Sequence, residues 1–449
     1  MRRARRSARS DRAVPATFER FVKGRRAVLA NGVTLVAAET PGLHSATLAA
    51  FVRTGSRYES ASVNGVSHFL EHLLFRGSEG YPDTLAMNGA VENAGGGLNA
   101  VTARDYSCFY TPIHPGFVEK GLDVLGDLIR RPLFRDVDLE RQVILEEILD
   151  EVDASGRDVD PDNLVKRLAF GAHPLGFKIG GTRRTVRALR EAHLRAHHAR
   201  FYTGANVVVS TAGPFPFGAV LAAARRAFGA IPPGTAARAR RAPRWPAGPL
   251  CTAVDHADAQ AEFTLAFPGV PEHHPDFPAA LCLRRILDDG LSSRLPYEIV
   301  ERQGLAYSIH CGLEAYEDTG LFSVEGACSP GRLGPVIAEV LAVLGGVSAS
   351  HAPEGEVALA RRRHRMSLSF AADNPQELAS WFGTGELLGW PEEMRERCRR
   401  VERVRPADVR RVARAAFRAR NLVAAVVGPD ARGLRRALFR AVEGSPLRR

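Results

Sequence analysis

Apolar and polar residues alternate through residues 31–56 (NGVTLVAAET, then SATLAAFVRTGSR), the period-two pattern of strands. Asn31-Gly32 is a turn dipeptide, so its flanks read as two strands of a hairpin or meander. The period then changes. Val66, Phe69, Leu70, Leu73 and Leu74 fall three and four apart and predict a helix that Gly77 stops. A second helix is expected over about 83–94, ended by Gly95-Gly96-Gly97, and residues 98–112 read as strand, with Leu98, Ala100, Tyr106, Cys108 and Tyr110 as its apolar positions. Two long helices follow, from about Phe117 to Arg130 and from about Asp138 to Asp153. Past a loop at His173-Pro174-Leu175-Gly176 come a helix near 183–200 and a buried strand, NVVVSTAG, at 206–213.

Residues 230–250 (AIPPGTAARARRAPRWPAGPL) mark the clearest domain boundary, because Pro and Gly break both periods there. The earlier order then repeats. A strand region (251–268) leads to an apolar helix (277–289), the turn DDGLSS, a helix (294–303) and strands across 305–327. Helices are expected at about 331–347, 354–370 and 374–388, and a last strand, NLVAAVVG (421–428), echoes NVVVSTAG. Two halves of about 200 residues with one element order indicate an internal duplication. Strands mixed with helical hairpins give an α+β class: two homologous domains, each a mostly antiparallel sheet packed with helices. The expected boundaries are a disordered basic tail (1–26), an N-terminal domain (27–231), a linker (232–250) and a C-terminal domain (251–449).

Composition narrows the function classes. The 449 residues carry a formal net charge of +11, which invites a polyanion partner. Residues 1–26 hold ten Lys/Arg against two acids, residues 432–449 six Arg against one, and residues 232–250 four Arg and no acid. The remainder is acidic, about −6, whereas a nucleic-acid groove needs its basic charge inside the folded body, so nucleic-acid binding is not expected. No run of about 18 apolar residues occurs, so no membrane-spanning helix is expected. The six cysteines are dispersed and form no CxxC, which reads as reduced thiols in a cytoplasmic protein. The Arg-rich start lacks the apolar stretch of a secretory signal; a transit-type address stays open.

The chemistry concentrates in Ser67-His68-Phe69-Leu70-Glu71-His72. On a helix, positions i and i+4 share a face, so His68 and His72 can both offer imidazole to one metal ion. Glu71 sits beside them as a candidate general base, the inverted order of the HExxH metallopeptidase motif. A catalytic zinc takes three protein ligands and keeps one open position. In LERQVILEEI, Glu140 and Glu147 lie two helical turns apart on one face, and Glu147 is a candidate third ligand. Read alone, the same helix is a solvated acidic face. Spacing leaves open whether the two helices meet.

The runs HFLEHLLFRGSEGYP, ENAGGGLNAVTARDYSCFY, DVLGDLIRRPLF, LERQVILEEILDEVD and AHPLGFKIGGT, in this order, resemble the pitrilysin/insulinase family of zinc metallopeptidases, in particular its short two-domain branch with mitochondrial processing peptidase and bacterial relatives. In the second half, DDGLSSRLPYEIVERQGLAYS resembles that family's C-terminal domain motif. The resemblance implies a clam shell around a chamber. It makes His68, His72 and Glu147 the ligands of one Zn2+, Glu71 the general base and Glu140 a supporting carboxylate of the catalytic set. The rival ligand Glu146 faces about 100° away on the helix. It also implies that a peptide substrate adds as a strand to the Gly95–Thr102 segment, held at Ala100 and oriented by Asn99, whose alternative role is to cap the turn.

One departure stands out. The family's C-terminal domain carries an Arg and a Tyr seven apart that hold substrate carbonyls; here Tyr307 is present, but the Arg position is Val300, with Arg302 or Arg294 as the available substitutes. The resemblance therefore implies a dimer, formed with a second copy or with a homologous subunit that lacks HxxEH and supplies the pair. His197-His198 and His273-His274 read as surface histidines. The expected function is a zinc-dependent endopeptidase acting on peptides or unfolded segments. The rival is a non-proteolytic interaction or scaffold subunit of the same family.

Overall fold

In the computed structural model, which describes residues 21–257 and 260–448, the N-terminal half runs β1 (Gly24–Val28), β2 (Thr34–Glu39), β3 (Ala46–Val52), α1 (Val66–Leu74), α2 (Thr84–Glu92), β4 (Asn99–Thr102), β5 (Ser107–Ile113), α3 (Val118–Arg130), α4 (Val137–Glu147), α5 (Pro161–Phe170), α6 (Arg183–Ala188), α7 (Glu191–Phe201), β6 (Val207–Gly213) and α8 (Phe217–Phe228). The C-terminal half runs β7 (Leu250–Asp255), β8 (Ala261–Gly269), α9 (Phe277–Leu287), β9 (Ser308–Ala315), β10 (Gly320–Cys328), α10 (Leu333–Ala349), α11 (Glu354–Ala372), α12 (Pro375–Leu388), α13 (Met394–Glu402), α14 (Pro406–Ala416), β11 (Val423–Gly428) and α15 (Ala431–Glu443). Residues 1–20 of the expected tail lie outside the described residues; by Gly24 the chain is already in strand.

The first sheet has the order β1-β2-β6-β3-β5-β4 and the second β7-β11-β8-β10-β9. Without β1 the two orders are the same, and so are the senses: one parallel pair (β2 with β6, β7 with β11), then antiparallel pairs throughout. The duplication seen in the two NxVxxxxG-like strands is thus a duplication of topology, with β6 and β11 in equivalent places.

Local reading fails where pairing is non-local. Asn31-Gly32 does make a hairpin turn, but between β1 and β2. β2 and β3 are no hairpin, because β6, about 170 residues later, inserts between them. The expected strand 98–112 is two strands, folded back where Ala103 N–H donates to Tyr106 C=O (2.8 Å). The helix expected at 183–200 breaks at Leu189-Arg190 into α6 and α7. Helices α5, α8, α13, α14 and α15 were not expected from their patterns. The span Pro330–Ala349 is long and apolar enough by length and composition to cross a membrane; in the fold, Leu333, Val336, Ile337, Val340, Leu341, Leu344 and Val347 of α10 are buried in the C-terminal core.

Each sheet is covered on one face by its own helices and on the other by a helix from the opposite half. In the first sheet Leu35, Leu48, Ala50 and Val209 face α1, α3 and α8. The alternate residues Val36, Ala49, Phe51 and Val208 face Leu378, Ala379 and Phe382 of α12. Reciprocally, Val165, Ala169 and Phe170 of α5 cover Ala266, Leu321, Val423 and Ala425 of the second sheet. Burial on both faces explains why these strands read as nearly continuous apolar runs. Gly383 is where α12 comes closest: a Cβ there would stand 2.2 Å from the Phe51 ring. On an open helix Gly→Ala gains about 1 kcal/mol. Here Gly383→Ala is expected to lose about 1–3 kcal/mol in urea unfolding through overpacking. A variant more stable than wild type would mean that α12 does not press on the sheet.

Candidate active site

Helix α1 is amphipathic. Val66, Phe69, Leu70, Leu73 and Leu74 are buried in the first core, while His68, Glu71 and His72 line the more open face. Its start is built by tertiary contacts. Gly65 takes φ +96°, which a side chain would strain, and the buried Glu59 carboxylate accepts from the N–H groups of Gly65 and Ser67 (both 2.8 Å) and from Asn64 Nδ2 (2.9 Å). The carboxyl thus sits on the positive end of the helix and satisfies donors that would otherwise be buried unpaired, while burial holds its pKa above the usual carboxylate range against those donors. Underneath, His197 Nε2 meets Thr54 Oγ1 at 2.7 Å and Ser67 Oγ at 3.1 Å, and burial drives its pKa down to about 3. The surface reading of His197 is therefore corrected: it shares a face of α7 with Leu194 and Phe201, a spacing of three and four that signals burial.

Helix α4 brings the third ligand candidate. Glu147 is its last residue and half exposed. One carboxylate oxygen lies 3.5 Å from His72 Nε2 and the other 3.8 Å from His68 Nε2. Ligand atoms of His68, His72 and Glu147 all stand within 4.8 Å of one another, and this is the only such group of metal-ligating side chains among the described residues. Donors about 2.1 Å from a tetrahedral ion stand roughly 3.4 Å apart, so the spacing leaves room for one ion. Two imidazoles and a carboxylate are a zinc donor set, and burial lowers the His68 pKa to about 4, with the His72 charge acting the same way, so that imidazole is neutral. Glu146 is outside the group.

Glu140 is buried and lies 3.1 Å from His72 Nδ1; it also accepts from Arg76 Nε. A carboxylate on Nδ1–H fixes the tautomer that leaves the Nε2 lone pair for a metal. His68 lacks such support: its Nδ1 is buried with no hydrogen bond among the described residues.

Glu71 accepts a hydrogen bond from Thr102 Oγ1 at the end of β4. Burial pushes its carboxyl above the usual range, the Thr102 hydrogen bond and His72 pull it down, and the Glu147 charge pushes it up again. β4 is an edge strand that pairs only with β5, Ala100 opposite Phe109 and Thr102 opposite Ser107. Because Ala103 and Tyr106 form a bonded pair, alternation turns the backbone N–H and C=O of Ala100 and Thr102 to the free side. The Asn99 amide donates to Gly97 C=O (2.9 Å), so in this structure it caps the turn.

The expected C-terminal residues have these surroundings among the described residues. Tyr307 is 83% exposed ahead of β9. Val300 lies in a π-helical turn, Pro296–Arg302, packed on the C-terminal core. Arg294 is bound twice to Glu356 (3.1 and 2.7 Å), and Arg302 pairs with Glu298. Helix α9, the counterpart of α1, carries no histidine. Glu59, His197 and Thr102 were missed as site residues; only His197 had a signal, its place on the apolar face of α7.

Comparison with known proteins gives the family. The model of the insulinase family (peptidase family M16) matches residues 34–183, and that of the M16 inactive domain matches residues 188–363. An uncharacterized zinc protease of Mycobacterium tuberculosis is 33% identical over 94% of this chain and 97% of its own. The mitochondrial-processing peptidase subunit beta of Blastocladiella emersonii is 31% identical over 89% and 88%. Among solved structures, a protease from Helicobacter pylori superposes with TM-score 0.81 at 18% identity, covering 91% of this chain and all of the other.

Proposed function

The chain belongs to the insulinase family, peptidase family M16, with two homologous α+β domains in the clam-shell arrangement, and on that premise we propose that it is a zinc-dependent endopeptidase. The observation that carries the proposal is the convergence of His68, His72 and Glu147 from two helices, with Glu71 on the same face of α1. When bound, zinc supplies a Lewis acid that polarises the scissile carbonyl and acidifies water at its open position. Glu71 takes the proton of the attacking water and hands it to the leaving amine; its raised proton affinity suits both transfers. Thr102 holds one Glu71 oxygen, leaving the other free, and Glu140 keeps His72 in its ligating tautomer.

The substrate is a peptide or unfolded segment, because only an extended chain can add to the free edge of β4. Ala100 then supplies the backbone pair, and Asn99 reaches the peptide once its amide leaves Gly97. Support for the transition state from Tyr307 lacks its Arg partner in this chain, which favours a dimer with a homologous subunit; one relative is itself named a subunit beta.

The test is zinc content together with peptide cleavage. One zinc per chain is expected, with hydrolysis of an unstructured peptide lost on chelation and restored by zinc. Cleavage by zinc-free protein would overturn the proposal. Zinc-free protein without cleavage would favour the non-proteolytic subunit.

A further inference from the structure

Glu147 must reach two histidines on another helix, yet no hydrogen bond among the described residues holds its carboxylate. Its place is set by the backbone that follows. Directly after it, Ile148–Glu151 winds into a 3₁₀ turn. Glu151 Oε2 lies 2.6 Å from Lys178 Nζ, and Asp158 Oδ1 lies 3.7 Å from the same ammonium. The Lys178 side chain is only 13% exposed.

The other end of Lys178 touches the start of the histidine helix. Its carbonyl accepts from Asn64 Nδ2 (2.8 Å), and Asn64 is the residue that Glu59 also binds. Two residues on, the loop lies against Gly65: the Gly180 carbonyl would stand 2.8 Å from a Cβ at Gly65, and a Cβ at Gly180 would stand 3.7 Å from His68 Nδ1. One residue thus joins the entry of α1, which carries His68 and His72, to the exit of α4, which carries Glu147.

We propose that Lys178 is the positioning residue of the third metal ligand: its ammonium anchors the turn after Glu147 through Glu151 and Asp158, while its backbone is fixed to the start of α1. The proposal rests on the zinc reading above. In it, the separation of ligands on two helices is set by one ion-paired strut.

The test compares Lys178→Met, which keeps the aliphatic stem, with Lys178→Arg and with Lys166→Met. Lys166 is a buried lysine, paired with Asp162 (2.6 Å) and, across the halves, with Glu314 (2.8 Å). Zinc affinity is read by chelator competition on the full chain, and the unfolding midpoint on metal-free protein. Lys178→Met is expected to bind zinc about 10–100-fold more weakly, with most of the loss recovered in Lys178→Arg. Lys166→Met is expected to stay within about threefold of wild-type zinc affinity while lowering the midpoint. Should Lys178→Met not fold, Glu151→Gln tests the same strut from its exposed side, with loss of affinity expected. Unchanged affinity in Lys178→Met or Glu151→Gln, or equal loss in Lys166→Met, overturns the proposal. A wild type that binds no zinc overturns instead the reading on which it rests.

Discussion

Glu71→Gln is expected to lower kcat for peptide hydrolysis by about 10²–10⁴-fold while the chain still binds one zinc. The change keeps size and an oxygen that can accept the Thr102 hydroxyl, so local packing should survive. What it removes is the basic lone pair. No neighbour can replace it. Glu147 is committed to the histidine pair, and Glu140 is held between His72 and Arg76. The proposed ligands keep their surroundings, Glu140 on His72 and the clasped start of α1 before His68, which is why metal content should not follow activity. Steady-state cleavage of an unstructured peptide and zinc analysis of the same sample check this. Cleavage at the wild-type rate would sink the assignment of Glu71 as base.

Arg57→Ala is expected to destabilise the fold by about 3–5 kcal/mol, among the largest losses available to one substitution here. Arg57 is 2% exposed and lies between the two halves. It donates to Asp105 in the turn between β4 and β5 (3.1 Å), to Asp318 in the turn between β9 and β10, and to the Arg240 carbonyl of the linker (3.2 Å). Both carboxylates are bound on their far sides, Asp105 by Glu317 N–H (2.9 Å) and Asp318 by Ala242 N–H (2.8 Å). Without the guanidinium, Asp105 is a buried anion with one remaining donor. Burial already raises its carboxyl above the usual range against the pull of Arg57, so the variant pushes it further. A carboxyl raised in the folded state favours the protonated form. The pH-dependent part of the deficit should therefore be absent below the ordinary carboxylate pKa, about 4, and grow as pH rises through the raised pKa that Asp105 has in the folded wild type. Arg53→Ala is the comparison: its longer, more exposed pair with Glu317 (3.6 Å) should contribute less than about 1 kcal/mol. Urea unfolding at several pH values reads both. A loss in Arg57→Ala no larger than in Arg53→Ala would mean that the clasp does not hold the halves together.

Much of the site was legible because its logic is local. Two histidines and a glutamate on one face of a helix follow from 3.6 residues per turn, and so does the shared face of Glu140 and Glu147. The family resemblance supplied the pairing of those helices, and in the fold Glu147 does approach both histidines. The failures are all contacts distant in sequence. β6 inserts between β2 and β3, α5 and α12 each cross to the other half's sheet, and Glu59 caps α1 through side-chain bonds that no spacing rule describes. His197 was misread because an imidazole counts as polar in a pattern, although its satisfied hydrogen bonds let it lie under α1.

By itself, then, the sequence determined what a single helix or strand determines: which side chains share a face, where the period changes, and that one element order occurs twice. Only the tertiary structure decided how close Glu147 comes to the histidines, which strand edge stays open beside Glu71, and that Lys178 and Arg57 tie distant segments together. The physical reason is that periodicity fixes directions within an element, whereas the distances between elements are set by packing and by buried charges whose partners lie tens to hundreds of residues away.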